Sequence, residues 1–338
     1  MIKSLIIDDS SLVRSIIKDF LESDGSFEVI GEAENGSDGV NLARDLNPDL
    51  ITMDIEMPVM NGLEATAEIR KFSSCAIVVI STHDTAKMAY DAIVNGAHEF
   101  FAKDLFTSQM NSRKRDEIFN TLKQITSIKK KVFMQQAGKD DSTSPRKINC
   151  VVIAASTGGP MALCHLCSGL PEDFPVPVLI VQHNTSGFDK GFVQWLNGYS
   201  SLDIQLAEEG KNPSRGNIYI APTDRHLVIN DRGISFDDSE PVNNQRPAAD
   251  LLFKSAAALY GNSLVSVVLT GMGSDGAEGT RLVKQAGGIT IAQDEASSMI
   301  YGMPLAAVET GCVDIELPLD EIATKLVSLT KRTAGNDR

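Results

Sequence analysis

The chain has 338 residues, of which 42% are hydrophobic and 22% charged, with a net charge of −14 at pH 7. That length favours two domains, and that apolar fraction can fill two cores, which excludes a disordered chain. The acidic balance, with no basic stripe carrying interleaved aromatics, argues against nucleic acid as a partner.

Strand-like runs at 3–8, 27–33, 49–54, 76–82 and 98–103 alternate with segments of helical apolar spacing, such as Leu12, Ile16, Ile17, Phe20 and Leu21. Five successive βα units predict an α/β fold, a doubly wound five-stranded parallel sheet with helices on both faces. A helix expected over 109–136 turns basic at Lys129-Lys130-Lys131, where positive charge complements the helix dipole. Residues 138–145 are small and polar and predict a linker. Further strand-like runs at 148–155, 176–182, 217–221, 264–270 and 288–292 predict a second wound sheet, mainly parallel with some antiparallel additions, and a last helix over 318–329. The expected division is a first domain at 1–125, a helical extension and linker at 126–147, and a second domain at 148–338. No internal repeat is evident.

Cys75, Cys150, Cys164, Cys167 and Cys312 are few, odd in number and mostly set in apolar runs, as buried thiols of a reducing compartment are. Cys164 and Cys167 form a C-x-x-C with no second pair to complete a zinc site, so packing is expected. Met1-Ile2-Lys3-Ser4 leads straight into an apolar run without the features of a secretory leader, and no apolar run approaches the roughly 18 residues that span a bilayer. A cytoplasmic chain without direct membrane insertion is expected, one that would leave the sequon Asn184-Thr185-Ser186 unused.

Asp8 and Asp9 close the first strand and Asp54 the third, and the C-terminal strand ends of a doubly wound sheet converge on one crevice. Three carboxylates there repel one another, and a hard cation such as Mg²⁺ relieves that repulsion. Ser81 closes the fourth strand and Lys103 the fifth, adding a hydroxyl and an ammonium. Together these groups suit phosphoryl transfer to a carboxylate nucleophile, against the simpler reading of strand-end acids that cap the following helices.

In the second region an apolar strand stops at Ser156, before two glycines and a helical pattern. A serine at such an apex can serve as nucleophile near a helix N-terminus, though Ala154-x-Ser156-x-Gly158 lacks the first glycine of a nucleophile elbow and equally suits a phosphate-binding turn. His183 directly follows another apolar strand, where a lone histidine is usually a capping or packing residue. Gly271-Met272-Gly273-Ser274-Asp275-Gly276 follows a third strand and matches a dinucleotide fingerprint, with Asp294 further on. A tight packing turn, or a turn that presents Asp275 to orient His183, are the competing readings. Ser156, His183 and Asp275 all follow apolar strands, so a parallel sheet would bring them to one edge.

Residues 1–105 resemble response-regulator receiver domains, through Ile6-Ile7-Asp8-Asp9-Ser10, Met53-Asp54-Ile55-Glu56-Met57-Pro58 with Asn61-Gly62, Ser81-Thr82 and Lys103. The resemblance implies Asp54 as phosphoacceptor, Mg²⁺ held by Asp8, Asp9, Asp54 and the Glu56 carbonyl, phosphoryl contacts from Ser81 and Lys103, and Phe100 as an aromatic switch. Asp104 departs from the proline usual after the lysine, which bears on the path of the last loop.

Residues 148–335 are similar to the catalytic domain of chemotaxis protein-glutamate methylesterases (CheB). The matching stretches are Ala155-Ser156-Thr157-Gly158-Gly159, Gln182-His183, Ala221-Pro222 with His226, and Arg246-Pro247 through Asp250 to Phe253. Further matches are Leu269 through Asp275 to Ala277, and Gln293 through Ala296 with Gly302-Met303-Pro304. Near Gln245-Arg246-Pro247-Ala248-Ala249 the family more often has histidine or serine, a departure that does not touch the triad. The resemblance implies Ser156 as nucleophile, His183 as base, Asp275 as its orienting acid, and the N–H groups of Thr157 and Met272 as an oxyanion hole, with no cofactor for the esterase chemistry. It also implies methylated chemoreceptor cytoplasmic domains as substrate and a CheA-type histidine kinase as phosphodonor.

Overall fold

A computed structural model of the chain describes residues 1–82, 86–106, 110–127 and 147–331. The chain falls into two compact units, Met1–Lys130 and Lys131–Arg338. The linker expected at 138–145 and the basic end of the helix expected over 109–136 lie outside the described residues.

The first unit runs β1 (Ile2–Ile7), α1 (Ser11–Glu22), β2 (Phe27–Ala33), α2 (Gly36–Leu46), β3 (Leu50–Met53), α3 (Gly62–Arg70), β4 (Ala76–Ser81), α4 (Ala86–Val94), β5 (Glu99–Ala102) and α5 (Ser112–Ser127). Its sheet has the order β2-β1-β3-β4-β5, with every pair parallel, as the alternation of βα units predicts. The central strands β3 and β4 are buried along their whole length, which is why they read as continuous apolar runs. Phe20 of α1 stacks on Phe119 of α5 at 4.5 Å between ring centroids and meets Phe106 edge-on at 5.0 Å.

The second unit runs β6 (Cys150–Ala155), α6 (Gly159–Ser168), β7 (Val178–Gln182), α7 (Asp189–Asn197), β8 (Asp203–Leu206), β9 (Asn217–Ile220), β10 (His226–Asn230), β11 (Gly233–Asp237), α8 (Ala249–Tyr260), β12 (Leu264–Val268), α9 (Ala277–Gln285), β13 (Ile289–Gln293), α10 (Met303–Glu309), β14 (Ile315–Leu317) and α11 (Leu319–Lys331). Its seven-stranded sheet has the order β14-β13-β12-β6-β7-β9-β8 and is parallel throughout. The expected antiparallel additions are not part of it: β10 and β11 pair with each other as a separate hairpin. From β6 the chain first winds toward β7, then returns to lay β12 on the other side. The topological switch point lies between β6 and β12, and ligands of wound sheets bind at the C-terminal strand ends of such a point. Below it Val152, Ala154, Val181, Leu252, Phe253 and Val268 pack in one buried core.

Cys150, Cys164 and Cys167 are buried free thiols, and burial pushes those of Cys150 and Cys167 up, away from thiolate chemistry. Among the described residues no helix is long and apolar enough to cross a membrane.

Candidate active site and acidic pocket

In the first unit Asp8 and Asp9 follow β1 and Asp54 follows β3. Ligand oxygens of the three lie within 4.8 Å of one another, with Asp8 and Asp54 buried and Asp9 exposed. Lys103, immediately after β5, reaches Asp54 Oδ2 at 2.7 Å and Asp8 Oδ2 at 3.0 Å. Burial pushes the Asp54 carboxyl up to about 6, with Asp8 adding to the push and Lys103 and the Ile55 N–H opposing it. The lysine is shifted up: burial works against its charge, and Asp54 and Asp8 more than compensate. These hard oxygen donors, crowded at one strand edge, fit a divalent cation of the Mg²⁺ kind. Glu56 lies two residues beyond Asp54 with its side chain exposed.

Local packing fixes this pocket. The Asp8 carboxylate accepts the Ser10 N–H at 2.9 Å, and Arg14 donates to the Asp8 carbonyl at 2.7 Å. Gly62 opens α3 where a Cβ would lie 2.0 Å from the Asp54 carbonyl oxygen, so no other residue fits without moving the main chain at Asp54. Ser81 is buried at the end of β4, and Phe100 is buried edge-on against Tyr90, with centroids 4.9 Å apart. The Lys103–Asp104 peptide is not cis. Lys103–Phe106 forms a 3₁₀ turn that contains Asp104 and buries Phe106.

In the second unit the strand order places the Ser156 strand β6 between the His183 strand β7 and β12, whose following turn carries Asp275. The ladders continue past the strand ends: His183 N–H donates to the Ala155 carbonyl at 3.0 Å, and Ser156 N–H to that of Thr270 at 3.1 Å. His183 Nε2 meets Asp275 Oδ2 at 2.8 Å, both side chains being buried. Facing a carboxylate, Nε2 carries the proton, which leaves Nδ1, buried and without a partner among the described residues, as the basic nitrogen. Burial pushes the Asp275 carboxyl up, but His183 and the N–H groups of Ala249 and Asp250 outweigh it and hold the acid below its ordinary range. Among the described residues Ser156 Oγ makes no hydrogen bond, a common state before substrate tightens a site. The N–H groups of Thr157 and Met272 have no protein acceptor among the described residues.

Two glycines set the approach. A Cβ on Gly271 would lie 2.7 Å from Ser156 Cβ and 2.4 Å from Met303 Sδ, and one on Gly159 would lie 2.0 Å from Gln182 Oε1. The glycine-rich turn therefore closes on the serine. It does not cradle a pyrophosphate, because the α9 N–H groups of Gly276 and Gly279 are already taken by the Asp250 carboxylate at 3.0 and 2.7 Å. Asp294 is also engaged, accepting from Ser297 N and Oγ. Asp250, Thr270, Gln182 and Gln293, to which the sequence assigns no role, are all buried. Gln182 donates to the Ser156 carbonyl at 3.1 Å, and Gln293 accepts the Thr270 N–H at 2.8 Å. For Thr270, Gln182 and Gln293 the available signal is a polar residue at the end of an otherwise apolar strand.

A sheet bearing clustered acids and a lysine, joined in one chain to a parallel sheet presenting serine, histidine and aspartate at its switch point, defines a response regulator with a hydrolase output domain. The CheB methylesterase family model matches residues 151–326, and the response regulator receiver domain model matches 4–114. The chain is 37% identical over 350 aligned positions to a protein-glutamate methylesterase/protein-glutamine glutaminase of Pyrococcus abyssi, covering 99% of this chain and 95% of that one. With the same-named protein of Halobacterium salinarum it is 40% identical over 347 positions, covering 98% and 100%. The crystal structure of the Thermotoga maritima CheB methylesterase catalytic domain is similar with a TM-score of 0.53 and 39% identity, covering 54% of this chain and 100% of that one. The chain therefore belongs to the CheB methylesterase family.

Proposed function

We propose that this chain is a cytoplasmic protein-glutamate methylesterase and glutaminase that acts on chemoreceptor cytoplasmic domains during sensory adaptation and is switched on by phosphorylation of Asp54. The observation that carries the esterase reading is the 2.8 Å bond between His183 and Asp275 at the sheet edge where Ser156 emerges.

Ser156 Oγ attacks the carbonyl carbon of a glutamate γ-methyl ester while His183 Nδ1 takes its proton. The N–H groups of Thr157 and Met272 stabilise the oxyanion, and Asp275 stabilises the imidazolium. Collapse of the tetrahedral intermediate breaks the bond to methoxide, which leaves as methanol with the proton from His183. Water then attacks the acyl-serine, gives its proton to His183, and releases the glutamate carboxylate and the serine hydroxyl. A glutamine side chain follows the same course and releases ammonia.

In the receiver, the Asp54 carboxylate takes the phosphoryl group from a CheA-type histidine kinase. Asp8, Asp9, Asp54 and the Glu56 carbonyl would hold Mg²⁺, which supplies charge neutralisation at the transferring group. Lys103 pairs with the phosphoryl oxygens, Ser81 donates to one of them, and Phe100 reports the change by repacking. Unphosphorylated receiver restrains the esterase, and phosphorylation favours the state in which it does not.

An active-site serine probe should label Ser156, and Ser156→Ala should lose both labelling and methanol release. Asp275→Asn should lower kcat by at least about 10³-fold, since the amide can hold the wrong tautomer. Wild-type methanol release by Ser156→Ala would sink the assignment.

A further inference from the structure

Asp250 is 7% exposed, is the second residue of α8, and has no part in the chemistry above. Helices α8 and α9 begin after Ala248 and Gly276, neither of which makes a side-chain cap. The two helices exchange carboxylates instead. Asp275, just before α9, accepts the N–H groups of Ala249 at 2.6 Å and Asp250 at 3.0 Å, which open α8. Asp250, in turn, accepts the N–H groups of Gly276 at 3.0 Å and Gly279 at 2.7 Å, which open α9. Its other oxygen accepts Nδ2 of Asn243 at 2.6 Å. Asn243 sits in a tight exposed turn closed by Val242 and Gln245, with Asn243 and Asn244 both at positive φ.

Each acid therefore lies at the positive end of the other's helix, and the pair ties the turn 271–276 to α8 from behind. That turn carries both Met272 and Asp275. An apolar residue at 250 would leave the buried Gly279 N–H unpaired, leave Gly276 N–H only the Asp275 carboxylate at 3.1 Å, and release the turn's C-terminal anchor. We propose that Asp250 is a positioning residue for ester hydrolysis: it pins the turn that aims Asp275 at His183 Nε2, and its negative charge reinforces that of Asp275 opposite the imidazolium. The inference rests on the serine–histidine–aspartate reading above.

The charge is conditional. Burial, then contact with Asp275, pushes the Asp250 carboxyl up to about 6 against the pull of Gly279, Asn243 and Gly276. Around it stand Asp275, in contact, His183 behind Asp275, and His226 from β10, which accepts the Ala248 N–H at 3.0 Å. Helix α9 faces it with main-chain N–H groups. The charge is thus present at neutral pH and lost as pH falls through about 6.

The test is Asp250→Asn in the full chain with phosphodonor present, assayed as methanol release from methylated receptor membranes. Asparagine keeps an acceptor oxygen for Gly276 and Gly279, and the Asn243 amide can turn its oxygen toward the new NH₂, so both caps survive while the charge is lost. The expected result is KM within about twofold of wild type and kcat about tenfold lower near pH 8. The ratio of wild-type to variant kcat should then fall toward 1 near about pH 5, where wild-type Asp250 is itself protonated. Asp250→Ala, which also loses the caps, should cost kcat roughly 100-fold. If it does not fold, the asparagine profile still decides. A variant ratio that stays near 1, or is the same at every pH, overturns the proposal and leaves Asp250 a structural cap. Wild-type turnover in Ser156→Ala would remove the triad reading itself. Loss of turnover there, beside an Asp250→Asn profile parallel to wild type, removes this inference alone.

Discussion

Asp54 shows how one buried carboxylate carries the cost of a functional pocket. Because burial and Asp8 raise its acid form to about 6, the ionised group is less at ease folded than unfolded. Its contribution to stability is full below about pH 4 and is lost as pH rises through about 6. Asp54→Asn removes that dependence. In chelator, the stability of the Asn variant relative to wild type should grow by about 2 to 3 kcal/mol between about pH 4 and about pH 7.5, read from amide exchange in β3 and β4. A difference that does not change with pH would show that Lys103 fully neutralises the site. Most residues of the candidate sites were legible in the sequence because each closes an apolar strand: Asp8, Asp54, Ser81, Lys103, Ser156 and His183 all do. Asp250 was not, since it caps a helix whose N-cap, Gly276, lies 26 residues later in the chain. Nor can a sequence say which ring nitrogen of His183 meets Asp275, because that depends on the direction from which the turn arrives.

At the scale of elements, long central strands were readable and marginal ones were not. The strands β8 and β14, at opposite ends of the second sheet, span only four and three residues, too few for a periodic signal. The hairpin β10–β11 stands apart from the main sheet, where the sequence suggested an antiparallel addition to it. The glycine-rich turn matched a nucleotide motif because both need close main-chain approach, and only the packing of α8 against α9 separates the two. Gly279 sits in that contact: a Cβ there would lie 2.6 Å from Phe253 Cβ, inside the core. Gly279→Ala should destabilise the second unit by about 1–3 kcal/mol, despite alanine's better helix propensity. A chemical-denaturation midpoint, followed through Trp195 fluorescence, checks this. An unchanged midpoint would mean that α9 can shift freely, and with it the turn that carries Asp275.

For the whole molecule, the central claim is that a phosphoryl group on one unit governs ester hydrolysis on the other. The two folds and their order were legible from alternating strand and helix patterns and from family resemblance, whereas the coupling is a property of two states that no single strand pattern encodes. The direct test is methanol release from methylated receptor membranes by wild type and Asp54→Ala, each with and without a small-molecule phosphodonor and Mg²⁺. The account predicts that phosphodonor accelerates the wild type, while Asp54→Ala keeps the basal rate and does not respond. Equal acceleration of both proteins, or no acceleration of the wild type when Asp54 is demonstrably phosphorylated, would contradict it.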